Sequence, residues 1–124
     1  MVHNPVRWFE IYVQNMARAK AFYESVFQVK LEKLNSTIPN LEMWAFPMQR
    51  EGGGCAGSLV KMDNGSSGGN TTLVYFACED CAVEATRVVE SGGRVEREKF
   101  SIGEYGAIAL VSDTEGNMIG LHSM

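Results

Sequence analysis

The 124-residue chain has only three cysteines and two histidines, and it has no excess of basic residues. Its formal net charge of −4, with 11 Lys and Arg against 15 Asp and Glu, argues against a nucleic-acid partner, which needs a basic face. No apolar run approaches the roughly 18 residues that a membrane-spanning helix requires. The N-terminal Met1–Pro5 lacks the charged and apolar regions of a signal peptide. We therefore expect a cytoplasmic protein that binds neither membranes nor nucleic acid.

Two of the cysteines form the sequence Cys78-Glu79-Asp80-Cys81, between a predicted strand and a predicted helix. Redox motifs use this position because a helix N-terminus lowers the pKa of a thiol. The Trp and Pro neighbours of a redox motif are absent, and Cys55 brings the total to three thiols, one fewer than a structural zinc site uses. We interpret Cys78 and Cys81 as small buried residues, with a redox or metal function as the less favoured alternative.

What the chain does contain is an internal repeat. A shift of 64 residues places Leu31-Glu32-Lys33 over Val95-Glu96-Arg97 and Phe9–Val13 over Leu73–Ala77. A copy of about 60 residues buries little surface alone, so two copies are expected to share one core or one cleft. We predict a single domain, residues 1–124, built of two modules (1–62 and 71–124) with a Gly/Ser-rich linker at 63–70. Function in such a design usually lies between the copies.

Hydrophobic periodicity predicts a strand, a helix and three further strands in each module. The first module opens with an alternating strand over Val6–Val13 and a helix over Met16–Phe27 that is capped by Asn15. The second module has a helix from the Asp80 cap to Ser91, which Gly92-Gly93 end as a left-handed cap. The remaining predicted strands are Lys30–Leu34, Leu41–Phe46, Cys55–Met62, Thr71–Ala77, Arg94–Glu98, Tyr105–Val111 and Met118–Ser123. The predicted fold class is α+β, with βαβββ twice.

Motifs at both ends of the chain resemble those of the vicinal oxygen chelate superfamily, which includes glyoxalase I, bleomycin-resistance proteins and extradiol dioxygenases. Val13–Met16 with Ala19–Phe27 is similar to the opening motif of that family, and Asp113–Ile119 is similar to its closing motif. The resemblance covers essentially the whole chain. It implies two βαβββ modules whose mixed sheet curls around a small-molecule cleft, and a homodimer, as in many relatives.

In metalloenzymes of this family, the first and last strands of the modules hold one divalent ion with four ligands. The resemblance places the first-strand histidine on Trp8 and the last-strand glutamate on Gly120, and the 64-residue shift carries these positions to Thr72 and Ala56. These four residues cannot form a His/Glu metal site. We therefore expect no metal or other cofactor at the usual position.

Two residues further along the same strands, alternation places Glu10, Ser58, Val74 and His122 on the inward side. We predict that Glu10 and His122 both point into the cleft as an acid–base pair. Glu10 would remove a proton next to a carbonyl group, and His122 would donate a proton or stabilise charge on the oxygen. Four residues are predicted to contact the ligand: Trp8, Tyr12, Ser58 and Gly120.

Other interpretations stay open from the sequence. An aromatic, acidic cleft also suits an antibiotic-sequestering protein of the bleomycin-resistance kind, which performs no chemistry. A metal-dependent lyase or dioxygenase would have to use Glu10 and His122 with water, and two protein ligands bind a metal weakly. In structural terms, Glu10 could be a surface charge, and His122 could be bonded to a backbone group.

Overall fold

The computed structural model describes residues 4–49, 51, 53–63 and 72–124. The chain forms two compact units. Trp8–Thr72 is called the N-terminal unit, and Leu73–Met124 with the residues up to Arg7 is called the C-terminal unit. The predicted linker lies outside the described residues except for Asp63, and the predicted module boundaries stay a prediction. No helix among the described residues is long and apolar enough to cross a membrane.

Both units contain the predicted order of one strand, one helix and three strands, which confirms the α+β class. The elements of the first module are β1 (Val6–Tyr12), α1 (Met16–Phe27), β2 (Glu32–Leu34), β3 (Leu41–Ala45) and β4 (Ala56–Met62). Those of the second are β5 (Thr72–Ala77), α2 (Cys81–Glu90), β6 (Arg94–Ser101), β7 (Ala107–Ser112) and β8 (Met118–Ser123).

The strands of the two modules also have the same order. In the first module this order is β2-β3-β4-β1, and in the second it is β6-β7-β8-β5. The first strand of each module pairs in parallel with the last, and the other neighbours are antiparallel. The first and last strands of a module therefore lie side by side, and their side chains share faces.

The helices begin and end where their capping residues dictate. The side chain of Asn15 accepts a hydrogen bond from the Arg18 N–H at 3.0 Å, and that of Asp80 accepts one from the Ala82 N–H at 3.0 Å. The predicted left-handed cap of α2 is confirmed, because Gly92 has a φ of 97° and the Gly93 N–H donates to the Val88 carbonyl at 2.8 Å.

Each helix packs on one face of its sheet. In the N-terminal unit, Met16 of α1 packs with Leu59 of β4 and Ile11 of β1. In the C-terminal unit, Cys81 and Ala85 of α2 pack with Leu121 of β8 and Phe76 of β5. Because side chains alternate along a strand, the residues next to Ile11, Leu59, Phe76 and Leu121 belong to the opposite face. We call this opposite face of each sheet its helix-free face.

The position of Val74 was predicted wrongly. Val74 lies two residues from Phe76 and therefore on the face covered by α2, while Tyr75 takes the place on the helix-free face. The cause is the spacing of the repeat. Strand register pairs Glu10 with Ser58 and Tyr75 with Gly120, so the equivalent positions are 65 residues apart in the first strands and 62 apart in the last.

The prediction of a strand from Tyr105 was also wrong. Gly103–Tyr105 form a short 3-10 turn, and β7 begins only at Ala107. Gly103 and Gly106 have φ values of 77° and 105°, which interrupt a strand because they lie in the left-handed region. The preceding strand, β6, extends three residues beyond its predicted end, to Ser101.

Candidate functional site

Glu10 is a buried carboxylate held by its own strand. Its side chain is on the helix-free face with Trp8 and Tyr12, and the residue is only 8% exposed. The Tyr12 hydroxyl donates to Glu10 Oε1 at 2.8 Å, and the Trp8 indole N–H donates to Oε2 at 3.3 Å. A carboxylate can be buried only when donors replace water, and here each oxygen has one. The alternation thus predicted the face correctly, and burial excludes a simple surface charge.

Ser58 lies opposite Glu10 in the pairing of β1 with β4. It is fully buried, and its Oγ has no hydrogen-bond partner among the described residues. A buried hydroxyl without a partner carries the cost of its lost hydration. The structure therefore places Ser58 beside Glu10, as predicted, in a position that is unfavourable for stability alone.

His122 has a partner at both ring nitrogens. Arg7 Nη1 is 3.1 Å from Nδ1, and the Tyr105 carbonyl oxygen is 2.6 Å from Nε2. A guanidinium can only donate, and a carbonyl can only accept. Nδ1 is therefore an acceptor, and Nε2 carries the hydrogen, which is the pattern of a neutral imidazole. The sequence left a bond to a backbone group open for His122, and this bond is present.

Gly120 lies in β8 opposite Tyr75 of β5. A side chain at this position would collide with the Tyr75 ring, which occupies the space beside the glycine. Tyr75 itself is buried. The absence of a side chain at Gly120 is therefore required for packing of the aromatic ring, and a contact of Gly120 with a ligand stays a prediction.

The cysteines have the environment of buried structural residues. Cys81 is fully buried, and Cys55 is exposed. Burial raises the pKa of the Cys78 thiol to about 11, and the Glu84 carboxylate raises it further by repulsion of the thiolate. A thiol with this pKa is protonated at neutral pH, which disfavours the redox alternative for the pair.

A groove of about 540 Å³ runs along the start of α1 in the N-terminal unit. Its lining includes Trp44, whose indole N–H donates to Glu42 at 2.8 Å and whose ring lies 3.5 Å from the Lys20 ammonium nitrogen. None of the predicted site residues lines this groove, so it is separate from the surface around Glu10.

The residues present do not fit the metal ion of the related metalloenzymes. Trp8 and Ala56 supply an indole and a methyl group, Gly120 supplies no side chain, and Thr72 supplies only a hydroxyl. With the observed spacing, the counterparts of Trp8 and Gly120 are Leu73 and Ser58, which fit no better. Within either unit, the described residues bring no three His, Cys, Asp or Glu side chains together. We derive no chemical step through a metal.

Solved structures with the same fold include methylmalonyl-CoA epimerases. The Streptomyces coelicolor enzyme, as a single-residue variant in complex with 2-nitronate-propionyl-CoA, matches with a TM-score of 0.72 at 15% identity over 97% of this chain and 96% of that one. The Mycobacterium tuberculosis epimerase matches with a TM-score of 0.69 at 14% identity over 99% and 92%. BH1468 of Bacillus halodurans has a TM-score of 0.71 at 11% identity, with coverage of 96% and 93%. At these identities the likeness shows the fold.

Sequence comparison leads to the same group. CFP32 of Mycobacterium tuberculosis, a protein with a provisional glyoxylase name, is 25% identical over 116 residues, which are 92% of this chain. The chain spans 43% of the length of that relative. The family model of the Glyoxalase/Bleomycin resistance protein/Dioxygenase superfamily matches residues 6–121. The chain therefore belongs to this superfamily.

Proposed function

We propose that the protein binds a small organic molecule at the helix-free face of β1, and that Glu10 acts there as a metal-independent base. The observation that supports this proposal is the buried Glu10 carboxylate, oriented at both oxygens by Tyr12 and Trp8. Fixed donors of this kind keep the carboxylate ionised and set its direction, as a general base requires.

The proposed step is removal of a proton from a carbon next to a carbonyl group. The carboxylate takes the proton, and the electron pair of the C–H bond moves toward the carbonyl oxygen as an enolate. Methylmalonyl-CoA, which is bound in a solved epimerase structure of the same fold, has a C–H bond of this kind next to its thioester. Acyl-CoA esters are therefore the first compounds to test, followed by 2-oxoaldehyde adducts of thiols.

A protein that only sequesters its ligand is the second candidate. This alternative is favoured by the engagement of both Glu10 oxygens and both His122 nitrogens in hydrogen bonds. In that case Glu10 would attract a cationic ligand by its charge, and Trp8 and Tyr12 would contact the flat part of the ligand.

Deuterium exchange separates the two candidates. The protein is incubated in D2O with methylmalonyl-CoA or propionyl-CoA, and deuterium at the carbon next to the carbonyl is followed by mass spectrometry. A base at Glu10 predicts exchange that falls at least about a hundredfold in Glu10→Gln, because base catalysis contributes on that order. Tyr12→Phe, which keeps the carboxylate and removes one donor, should lose much less. Ligand binding without exchange in the wild-type protein would reject the base and favour sequestration.

We also propose a cytoplasmic homodimer. Phe22, Val26 and Phe27 of α1 are each more than half exposed, and they form an apolar surface that a second copy would cover. Sedimentation of the wild-type protein and of a Phe22→Ser variant tests the dimer, because only the variant should remain monomeric.

A further inference from the structure

We infer that Arg7 binds an anionic group of the ligand, a carboxylate or a phosphate, and that His122 is the positioning residue that orients Arg7. The inference rests on the proposed function for the existence of a small-molecule ligand. It adds the charge of that ligand and assigns a role to Arg7, which the sequence did not single out. It also gives His122 a role other than proton transfer.

Arg7 is an exposed cation without a carboxylate partner. Its guanidinium donates from Nη1 to His122 Nδ1, and among the described residues no carboxylate oxygen lies within ion-pair distance of it. A guanidinium has five N–H donors in a planar fork, and one bond to an imidazole leaves most of them available. This fork matches the geometry of carboxylate and phosphate oxygens.

His122 is well placed to hold Arg7 and poorly placed to exchange protons. Its Nε2–H is tied to the Tyr105 carbonyl at 2.6 Å, and its Nδ1 lone pair receives the Arg7 hydrogen bond. A neutral imidazole leaves the positive charge of Arg7 uncompensated. The histidine therefore orients the cation without neutralising it, as an anion site requires.

The backbone around Tyr105 fixes the far end of this chain of hydrogen bonds. The Ile102 N–H donates to the Gly106 carbonyl at 2.8 Å, which closes the turn that carries Tyr105. Gly106 has a φ of 105°, and a side chain there would collide with the Ser123 carbonyl oxygen. The acceptor for His122 is thus set by main-chain geometry, and the order runs from Tyr105 through His122 to Arg7.

Titration with inorganic phosphate, and separately with acetate, tests the inference without any turnover. The chain has two histidines, so the imidazole nitrogens of His122 can be told from those of His3 in 15N-labelled protein. The Arg7 Nε–H signal is followed in parallel, at constant pH, and sodium chloride keeps the ionic strength constant. We expect the Arg7 and His122 signals to shift with phosphate or acetate and the His3 signals to stay. A response to phosphate alone would assign a phosphate group, and a response to acetate would assign a carboxylate.

Variants separate the anion contact from the positioning role. Arg7→Gln should weaken the apparent affinity roughly tenfold, the effect of one charge-assisted hydrogen bond. Arg7→Lys should fall between this variant and the wild-type protein. His122→Asn places an acceptor near the position of Nδ1 and should keep the affinity, whereas His122→Gln reaches the Nε2 position and should lose it. Thermal melting of each variant shows that it is folded.

Several results would overturn the inference. Equal shifts with chloride, or an unchanged affinity in Arg7→Gln, would remove Arg7 as an anion-binding residue. Equal affinity in the Asn and Gln variants of His122 would remove the positioning role. Glu10→Gln serves as the link to the proposed function, because it should abolish exchange and leave the phosphate and acetate titrations unchanged. An intact titration without exchange in the wild-type protein would reject the proposed base and keep the anion site.

Discussion

Among single residues, the buried serines Ser58 and Ser123 form a matched pair. Both are essentially inaccessible, but Ser123 Oγ accepts the Cys81 N–H at 3.1 Å, whereas Ser58 Oγ has no partner among the described residues. Ser58→Ala removes an unsatisfied group, so we expect the free energy of unfolding to stay unchanged or to rise by up to about 1 kcal/mol. Ser123→Ala leaves a buried N–H unpaired and should cost about 1–3 kcal/mol. Urea unfolding of both variants measures the difference.

A loss of stability in Ser58→Ala equal to that in Ser123→Ala would show that the Ser58 hydroxyl has a partner after all. If Ser58→Ala is instead neutral or stabilising but weakens ligand binding, the hydroxyl serves the ligand. Proteins retain such costs mainly at functional sites, which would support the predicted contact between Ser58 and the ligand.

The sequence predicted part of this arrangement and missed the rest for a physical reason. Strict alternation along one strand placed Trp8, Glu10 and Tyr12 together, because the period of a strand depends only on local geometry. The bond from Arg7 to His122 joins residues 115 positions apart. Such a pair depends on how separate strands are aligned, which the alternation within either strand does not fix.

For whole elements, the turn between β7 and β8 shows what the closing motif does. Asp113 Oδ1 accepts the N–H groups of Glu115 and Asn117 at 2.8 and 2.9 Å, and the Asn117 amide donates to Oδ2 at 3.1 Å. Gly116 completes the turn with a φ of 82°. The motif thus encodes a tight connection that sets the register of β8, the strand that carries Gly120 and His122.

Gly116→Ala tests the demand of this turn for glycine. A side chain at Gly116 meets no atom within 4 Å, so its only cost is the positive φ, and we expect a loss of about 1–2 kcal/mol. Gly53→Ala is the control, because Gly53 is equally open and has no positive φ. This control should be neutral or slightly stabilising. Thermal unfolding compares the two, and equal effects would contradict the role of backbone strain.

Elements with strong local signals were predicted to the residue, and those set by glycine geometry were not. The limits of α1 and β8 agree with prediction, since Asn15 caps the helix and the closing motif precedes the strand. The strand predicted from Tyr105 failed at Gly103 and Gly106, whose left-handed conformations are not evident from a single letter. The spacing of the two helix caps, Asn15 and Asp80, already contains the 65-residue shift that places Tyr75 opposite Gly120.

Across the whole molecule, two aspartates couple folding to pH. Hydrogen bonds from Lys99 and Ala82 hold the pKa of Asp80 below its ordinary 3.8, and hydrogen bonds from Asn117 and Glu115 do the same for Asp113. The unfolded chain therefore binds more protons than the folded chain near pH 3.8, and stability rises with pH there. The contribution of each carboxylate is complete well above pH 3.8 and is lost as the pH falls through the folded-state pKa.

Both aspartates belong to the C-terminal unit, so acid should first weaken the start of α2 and the β7–β8 turn. We expect the amide signals of Ala82 and Asn117 to lose protection from hydrogen exchange as the pH falls from 5 to 3. Lys99 is the main cause of the Asp80 shift, so Lys99→Met should move the Ala82 transition to higher pH and leave Asn117 unchanged. Movement of both transitions would mean that the two carboxylates do not act locally but report one global unfolding of the unit.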